Sequence, residues 1–398
     1  MQNLSQKIHE IAMVLFNQIE NGTQEPAFNS LGLYSGKFGI LLFLSSYLQH
    51  FGASLSQQQA YDIFLDTCLQ DVSEGIKSHT YCNGLTGIMF CLRLMNEYSF
   101  IDLDYSEIED GYRTYLLAKM TSDIENQNYD FMHGGLGVSL YYNTDIEFAQ
   151  RTLDALKQTA IYDGDRLKWK SSLGLNQGVG FNIALSHGMS SIVIYLSQLY
   201  KSGIFKDDVL PLLQGTINYI QAQQIDRDKY GSCFVTQSLE NGSEIFRSRL
   251  GWCDGDLGVG AALWQAGRAT GNAAWQEQAL DIYEFSTHRK GYINAMVKDA
   301  GLCHGSVGIA MMFDYIYQET ENKCYKNACD YWLSDTIRWA KFSDGLAGYK
   351  IYHHHSDGAP EFVNEFNLLE GVVGIGLVLL SMSNRNVKTI LHKMFLLY

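Results

Sequence analysis

One short pattern recurs along the whole chain: a polar residue, then Gly-x-x-Gly, then an apolar run. It reads Ser35-Gly36-Lys37-Phe38-Gly39, Asn83-Gly84-Leu85-Thr86-Gly87 and His133-Gly134-Gly135-Leu136-Gly137. It returns as His187-Gly188-Met189-Ser190-Ser191, with serine at the second glycine, and as Asp254-Gly255-Asp256-Leu257-Gly258. The last copies are His304-Gly305-Ser306-Val307-Gly308 and Glu370-Gly371-Val372-Val373-Gly374. A single Gly-x-x-Gly carries no information. Seven at near-regular separations mark a repeat architecture, in which each unit buries its apolar face only against its neighbours.

The segments after each copy, such as Ile88-Met89-Phe90 or Ile309-Ala310-Met311-Met312-Phe313, lack a polar face and read as buried helices. Between them lie segments with one apolar stripe, such as Val209, Leu210, Leu212, Leu213, Ile217 and Ile220, or Cys329, Trp332, Leu333, Ile337 and Ala340. Alternating buried and half-exposed helices predict an all-α fold, an α/α toroid with seven inner and seven outer helices. The glycines let the inner helices start tightly and pack closely at one end. The longest separations between copies, Gly188 to Gly255 and Gly305 to Gly371, are expected to hold small β-hairpin or loop insertions. One is Cys233-Phe234-Val235 with Glu244-Ile245-Phe246 around Asn241-Gly242; the other is Ile351-Tyr352 with Phe362-Val363 around Asp357-Gly358. No linker rich in Pro, Gly or Ser interrupts the chain, which has only 3 prolines, so one domain over residues 1–398 is expected.

A formal charge of −14 with no basic stripe argues against a nucleic-acid partner. Residues Met1 to Gln18 lack the pattern of a signal peptide, and the longest apolar stretch, Gly371 to Leu380, is too short to span a bilayer. A cytoplasmic, non-membrane protein is expected. Its 8 cysteines form no CxxC pair and are expected as free thiols or metal ligands.

A closed ring would bring equivalent positions of its repeats to one centre. The residue before each first glycine is polar in all seven copies: Ser35, Asn83, His133, His187, Asp254, His304 and Glu370. One position earlier stand Cys82, Cys253 and Cys303. Helix N-termini favour thiolate over thiol. An isolated buried cysteine is usually inert packing, but two cysteines and three histidines at one symmetry-related locus favour a metal. Zinc fits thiolate and imidazole together, and three protein ligands leave a fourth place for substrate. Cys253, Cys303 and His304 are the natural set, with Cys82 and His133 as competitors.

At these residues the chain resembles the lanthionine synthetase C family of lantibiotic cyclases. Three motifs carry the resemblance: Asn182-Ile183-Ala184-Leu185-Ser186-His187-Gly188, Trp252-Cys253-Asp254-Gly255 and Cys303-His304-Gly305. The glycine repeat extends it over nearly the full chain. The resemblance implies an α/α toroid with a catalytic Zn2+ held by Cys253, Cys303 and His304. It matches His187 to the family's active-site histidine, Asp130 to a functional aspartate and Arg249 to a functional arginine. One departure is Asp254, which follows the first zinc cysteine where well-known members have tyrosine; by that position it is the fourth candidate catalytic residue beside His187, Asp130 and Arg249.

The implied reaction is thioether formation: a peptide cysteine adds to dehydroalanine or dehydrobutyrine in the same peptide, giving lanthionine or methyllanthionine. On this reading His187 is the acid/base group, Asp130 orients it, and Arg249 stabilises the developing enolate oxygen. The implied partners are a dehydrated precursor peptide, a separate dehydratase and a peptide exporter. Read without the resemblance, Asp130 is a helix cap and Arg249 a surface ion-pair partner. Two rival functions remain open. One is a non-catalytic LanC-like zinc protein that binds glutathione or peptide. The other is a different α/α-toroid zinc-thiolate transferase, which would need a basic diphosphate pocket for prenyl chemistry. The triplet His353-His354-His355 reads as a solvated or peptide-contacting loop.

Overall fold

In the computed structural model, which describes residues 2–398 apart from 77, 172–180, 239, 241–244 and 354–358, every copy of the glycine pattern opens a helix. The order is α1 (Gln2–Asn21), α2 (Pro26–Asn29), α3 (Lys37–Phe51), α4 (Leu55–Ser73), α5 (Leu85–Glu97), α6 (Ser106–Glu125), α7 (Gly135–Tyr141), α8 (Ile146–Thr159), β1 (Ile161–Asp163), β2 (Arg166–Lys168), α9 (Met189–Ser202), α10 (Lys206–Gln221), α11 (Arg227–Tyr230), α12 (Asp256–Thr270), α13 (Ala273–Ser286), α14 (Gly291–Ala295), α15 (Ser306–Thr320), α16 (Lys323–Trp339), β3 (Ile351–His353), β4 (Glu361–Val363), α17 (Val372–Ser381) and α18 (Arg385–Met394).

The motif-led helices are α3, α5, α7, α9, α12, α15 and α17, each starting directly after its first glycine. They are buried nearly all round, as along the whole of α17. Each is followed by a helix with one buried stripe. In α8 that stripe is Phe148, Ala149, Thr152, Leu153, Ala155 and Leu156, and the Asp145 side chain caps the helix by accepting from the Glu147 and Phe148 amides. Helix α1 adds a further helix ahead of the first pair.

The glycines are needed for close approach. A Cβ on Gly36 would come within 2.3 Å of the Ser30 carbonyl, and one on Gly84 within 2.5 Å of the Ser78 carbonyl. The second glycine faces the same obstacle: a Cβ on Gly87 would lie 1.9 Å from the Tyr81 carbonyl, and one on Gly308 1.7 Å from that of Leu302. In both positions the carbonyl belongs to the residue six earlier, because the loop folds back under the helix start. The same fold-back gives a recurring backbone bond, from the amide after the first glycine to the carbonyl seven residues before it. It runs Lys37 to Ser30 (2.8 Å), Leu85 to Ser78 (2.9 Å), Gly135 to Asn128 (3.1 Å), Met189 to Asn182 (3.0 Å), Ser306 to Asp299 (3.1 Å) and Val372 to Glu365 (3.0 Å). One of the orphan amides at each of these six helix starts is thereby satisfied from within the repeat.

The chain divides into two compact units, 1–109 with 298–315 and 327–397, and 110–297 with 316–326. In the first, the Cys303 amide donates to the Leu369 carbonyl (2.8 Å), the Leu368 and Leu369 amides donate to the Tyr34 carbonyl (3.0 Å each), and the Tyr34 amide donates to the Cys82 carbonyl (3.0 Å). The loops of the sixth, seventh, first and second copies thus form one backbone belt. The Tyr34 hydroxyl adds a bond to the Met394 carbonyl at 2.6 Å. In the second unit α9 packs against both α10 and α12, and the Ser186 amide donates to the Cys253 carbonyl at 3.0 Å.

Strands β3 and β4 pair antiparallel, Ile351 with Val363 and Tyr352 with Phe362, as the sequence predicts; the Asp357-Gly358 turn lies outside the described residues. The other expected hairpin or loop lies partly outside the described residues. Its Asn241-Gly242 turn and Glu244 lie outside the described residues, and Cys233–Val235 forms no ladder among the described ones. The Cys233 and Phe234 amides donate to the Asp256 carboxylate, and Phe234 forms an isolated bridge with Gln224. A hairpin not foreseen, β1 with β2, turns at Gly164-Asp165, where Gly164 takes φ +63°. Among the described residues no helix is long and apolar enough to cross a membrane.

Candidate metal and acid–base site

Asp130 sits in the loop before α7 and is 3% exposed. Its Oδ1 accepts the Met132 and His133 amides, both at 2.8 Å, which turns the loop ahead of the helix; α7 itself is capped at Gly134 without a side-chain bond, so Asp130 is not the helix cap that the sequence alone suggests. Its Oδ2 accepts from His187 Nδ1 at 2.6 Å. One carboxylate thus turns the loop with one oxygen and holds the imidazole with the other.

Burial alone pushes the His187 imidazole down. The hydrogen bond and charge of Asp130, with the further charges of Cys253 and Asp254, outweigh it and hold the group above the ordinary histidine value. His133 stacks on His187 with ring centroids 5.9 Å apart and planes 11° from parallel. Burial, together with the neighbouring His187, depresses His133, although Asp130 opposes the shift. Two stacked imidazoles are thus driven in opposite directions, His187 towards the protonated form and His133 towards the neutral one.

Cys253 is 8% exposed, and its carbonyl accepts from both the amide and the hydroxyl of Ser186, each at 3.0 Å. These bonds lock the loop before α12 to the loop that carries His187. Arg249 is exposed and lies with Nε 3.4 Å from Asp254 Oδ2. Asp254, in the tyrosine position of the resemblance, is thus the acidic partner of Arg249.

Cys303, 9% exposed, is fixed by its amide bond to Leu369, and His304 beside it is half-buried. Asp299, 1% exposed, shapes their loop. Its Oδ1 accepts the Gly301 amide at 2.9 Å and its Oδ2 the Tyr352 amide of β3 at 3.1 Å. His353, next in β3, lies 3.9 Å from Glu370, while His354 and His355 fall outside the described residues.

The ligand atoms of Cys253, Cys303 and His304 lie within 4.8 Å of one another, and among the described residues they are the group of side chains able to hold a metal ion. Two thiols and an imidazole form a donor set suited to zinc rather than to a hard cation. Neither Cys82 nor His133 is part of the group.

Sequence reasoning missed Asp256 and Arg289. Asp256 is fully buried and accepts from the Cys233 and Phe234 amides and from the Arg289 guanidinium, the last at 2.8 Å. A signal was available. The residue after the first glycine is Lys37, Leu85, Gly135, Met189, Asp256, Ser306 or Val372, so Asp256 is the one acid at that position.

A profile of the lanthionine synthetase C-like protein family matches residues 27–396, and the chain belongs to that family. Nisin cyclase superposes with a TM-score of 0.75 at 18% identity, over 100% of this chain and 98% of that one. The shared fold is the all-α, α/α-toroid class that the repeat predicts. A zebrafish (Danio rerio) relative, glutathione S-transferase LANCL1, is 27% identical over 199 residues, 48% of this chain. That match takes in 40% of the relative's length.

Proposed function

We propose that the chain is a zinc-dependent lanthionine synthetase that closes thioether rings in a dehydrated precursor peptide. The observation that carries the reading is the pairing of His187 with Asp130 on a loop hydrogen-bonded to Cys253, itself one of the zinc-type donors. In the reaction a peptide cysteine sulfur bonds to the β-carbon of dehydroalanine or dehydrobutyrine. The double-bond electrons move onto the α-carbon and its carbonyl as an enolate, and a proton then returns to the α-carbon. No atoms are gained or lost overall.

Cys253, Cys303 and His304 would hold zinc, which when bound lowers the pKa of an incoming thiol so that it reacts as thiolate. The chain's own groups carry the proton and the charge. Asp130 engages His187 at Nδ1 and leaves Nε2 to deliver the proton to the α-carbon. The raised pKa of His187 keeps that proton available near neutral pH. Arg249 is the donor to the enolate oxygen, and Asp254 steadies its guanidinium. On this reading the enzyme works in the cytoplasm, takes the peptide from a separate dehydratase and passes it to an exporter.

A second reading has one observation in its favour, the similarity to a relative named as a glutathione S-transferase. It places the thiol of glutathione where the peptide cysteine would be, with the same acid and the same zinc donors.

The test is to incubate the purified, zinc-loaded protein with a dehydrated Cys-containing peptide, with and without glutathione. Loss of free thiol at unchanged mass supports cyclisation. Gain of one glutathione per peptide supports the second reading. Unchanged thiol and unchanged mass would remove both.

A further inference from the structure

The fifth copy departs from its siblings at one position, and another part of the chain does the work that is missing there. Six residues before the first glycine, the other copies carry Ser30, Ser78, Asn128, Asn182, Asp299 and Glu365. Five of these side chains turn their own loop by accepting the amide two residues on. The distances are 3.4 Å for Ser30, 3.4 Å for Ser78, 2.8 Å for Asn182, 2.9 Å for Asp299 and 3.2 Å for Glu365. The Asn128 side-chain amide donates to the His133 carbonyl at 3.3 Å. The fifth copy has Arg249, whose guanidinium has donors and no acceptor. Its first glycine also differs: Gly255 takes φ +79°, whereas Gly36, Gly84, Gly134, Gly188 and Gly371 lie between −140° and −87°.

A buried pair compensates. Arg289 and Asp256 are 3% and 0% exposed, and their ion pair measures 2.8 Å. The same guanidinium reaches the Ser248 carbonyl at 2.5 Å and the Asn294 carbonyl at 3.4 Å. Ser248 is held further by its amide to Ser232 Oγ (3.2 Å) and its hydroxyl to the Phe234 carbonyl (2.9 Å). On the other side, the Leu250 amide donates to the Ala295 carbonyl at 2.9 Å. Ser248 and Leu250 are buried and pinned, and Arg249 between them is the residue that projects.

We propose that Arg289 and Asp256 are positioning residues that replace the missing side-chain turn of the fifth copy and thereby aim Arg249. The pair lets a residue with no acceptor occupy the turn position, which frees that position for a cation at the reacting centre. The catalytic part of this inference rests on the function proposed above; the structural part does not.

Hydrogen exchange on the full-length protein tests it. Arg289→Lys keeps a positive charge beside Asp256 but loses the fork that reaches Ser248. Exchange over residues 245–254 should rise by about tenfold or more, with α9 unchanged. Adding Arg249→Asn restores the acceptor used in the other copies and should bring exchange back to within about threefold of the parent protein. Unchanged exchange in Arg289→Lys, or no slowing on adding Arg249→Asn, would overturn the proposal.

Turnover gives a second arm. Arg289→Lys should lower kcat by about tenfold or more with KM nearly constant, and should add nothing in an Arg249→Lys background. Losses that multiply in the double variant would show that Arg289 does not act through Arg249. Should the parent protein turn over neither substrate, the proposed function falls, and the exchange result still decides the positioning.

Discussion

His187 Nδ1 donates to Asp130 Oδ2 at 2.6 Å, and the other oxygen of that carboxylate is committed to the amides of Met132 and His133. The imidazole is therefore held by a group that the fold itself fixes. Asp130→Asn can keep its oxygen on the loop amides and lose the anion beside the ring. The His187 pKa should fall towards its ordinary value, read by NMR titration, and the cyclisation rate should fall by about 10²-fold or more. His187→Asn should lose a similar factor while zinc content stays unchanged. Full turnover in either variant would remove the pair from the mechanism.

Metal analysis gives the most direct check of the donor set. Cys253→Ala and Cys303→Ala should each lose tightly held zinc, whereas Cys82→Ser should retain it. Chelation should abolish turnover, and added zinc, unlike magnesium, should restore it, because thiolate donors disfavour hard cations.

The glycine pattern predicts opposite signs for one substitution at two places. Gly308→Ala puts a Cβ 1.7 Å from the Leu302 carbonyl, so it should destabilise by about 3 kcal/mol or more. At Gly111, in α6, an added Cβ would meet nothing within 4 Å, and the backbone is not left-handed. Gly111→Ala should stabilise by about 0.5–1 kcal/mol. Denaturant midpoints measure both.

Stability should also carry a pH signature. Burial pushes the His392 imidazole down to about 4, with Lys388 in the same direction and Asp314 against it. The unfolded chain, with an ordinary imidazole near pH 6.5, then binds the extra proton first. Stability from this group is complete above about pH 6.5, declines as pH falls towards 4 and levels off below. Between pH 7 and pH 5 the decline is about 2 kcal/mol, from roughly 1.5 pH units of exposure to the linkage. Denaturation at the two pH values should show a smaller drop for His392→Gln than for the parent protein. Equal drops would refute the assignment.

Helix starts were legible because the first glycine of each copy is crowded by backbone at its own loop, so glycine stands there in all seven copies, whereas Ser191 replaces the second glycine in the fourth. The apolar runs behind each glycine were legible for the same reason: they have no polar face to confuse the period. What stayed hidden depends on partners distant in sequence. Nothing local to Cys233–Val235 says that Asp256 will take the Cys233 and Phe234 amides. Arg289 likewise shows its purpose only once Ser248 and Asp256 lie against it. The β1–β2 turn was readable, since Gly164-Asp165 stands between Ile161-Tyr162 and the alternation Arg166-Leu167-Lys168-Trp169, but it lies outside the two longest separations between copies, where insertions were expected.

The bond from Leu369 to Tyr34 makes the last repeat a neighbour of the first. In an open array of repeats the terminal members need a specialised polar outer side to shield them from water and from other chains. Here the opening repeat is shielded by the closing one. During synthesis, the opening repeat must therefore wait, its flank bare, until more than three hundred later residues have left the ribosome, and chains cut short before Leu369 should be the ones that chaperones and proteases find first.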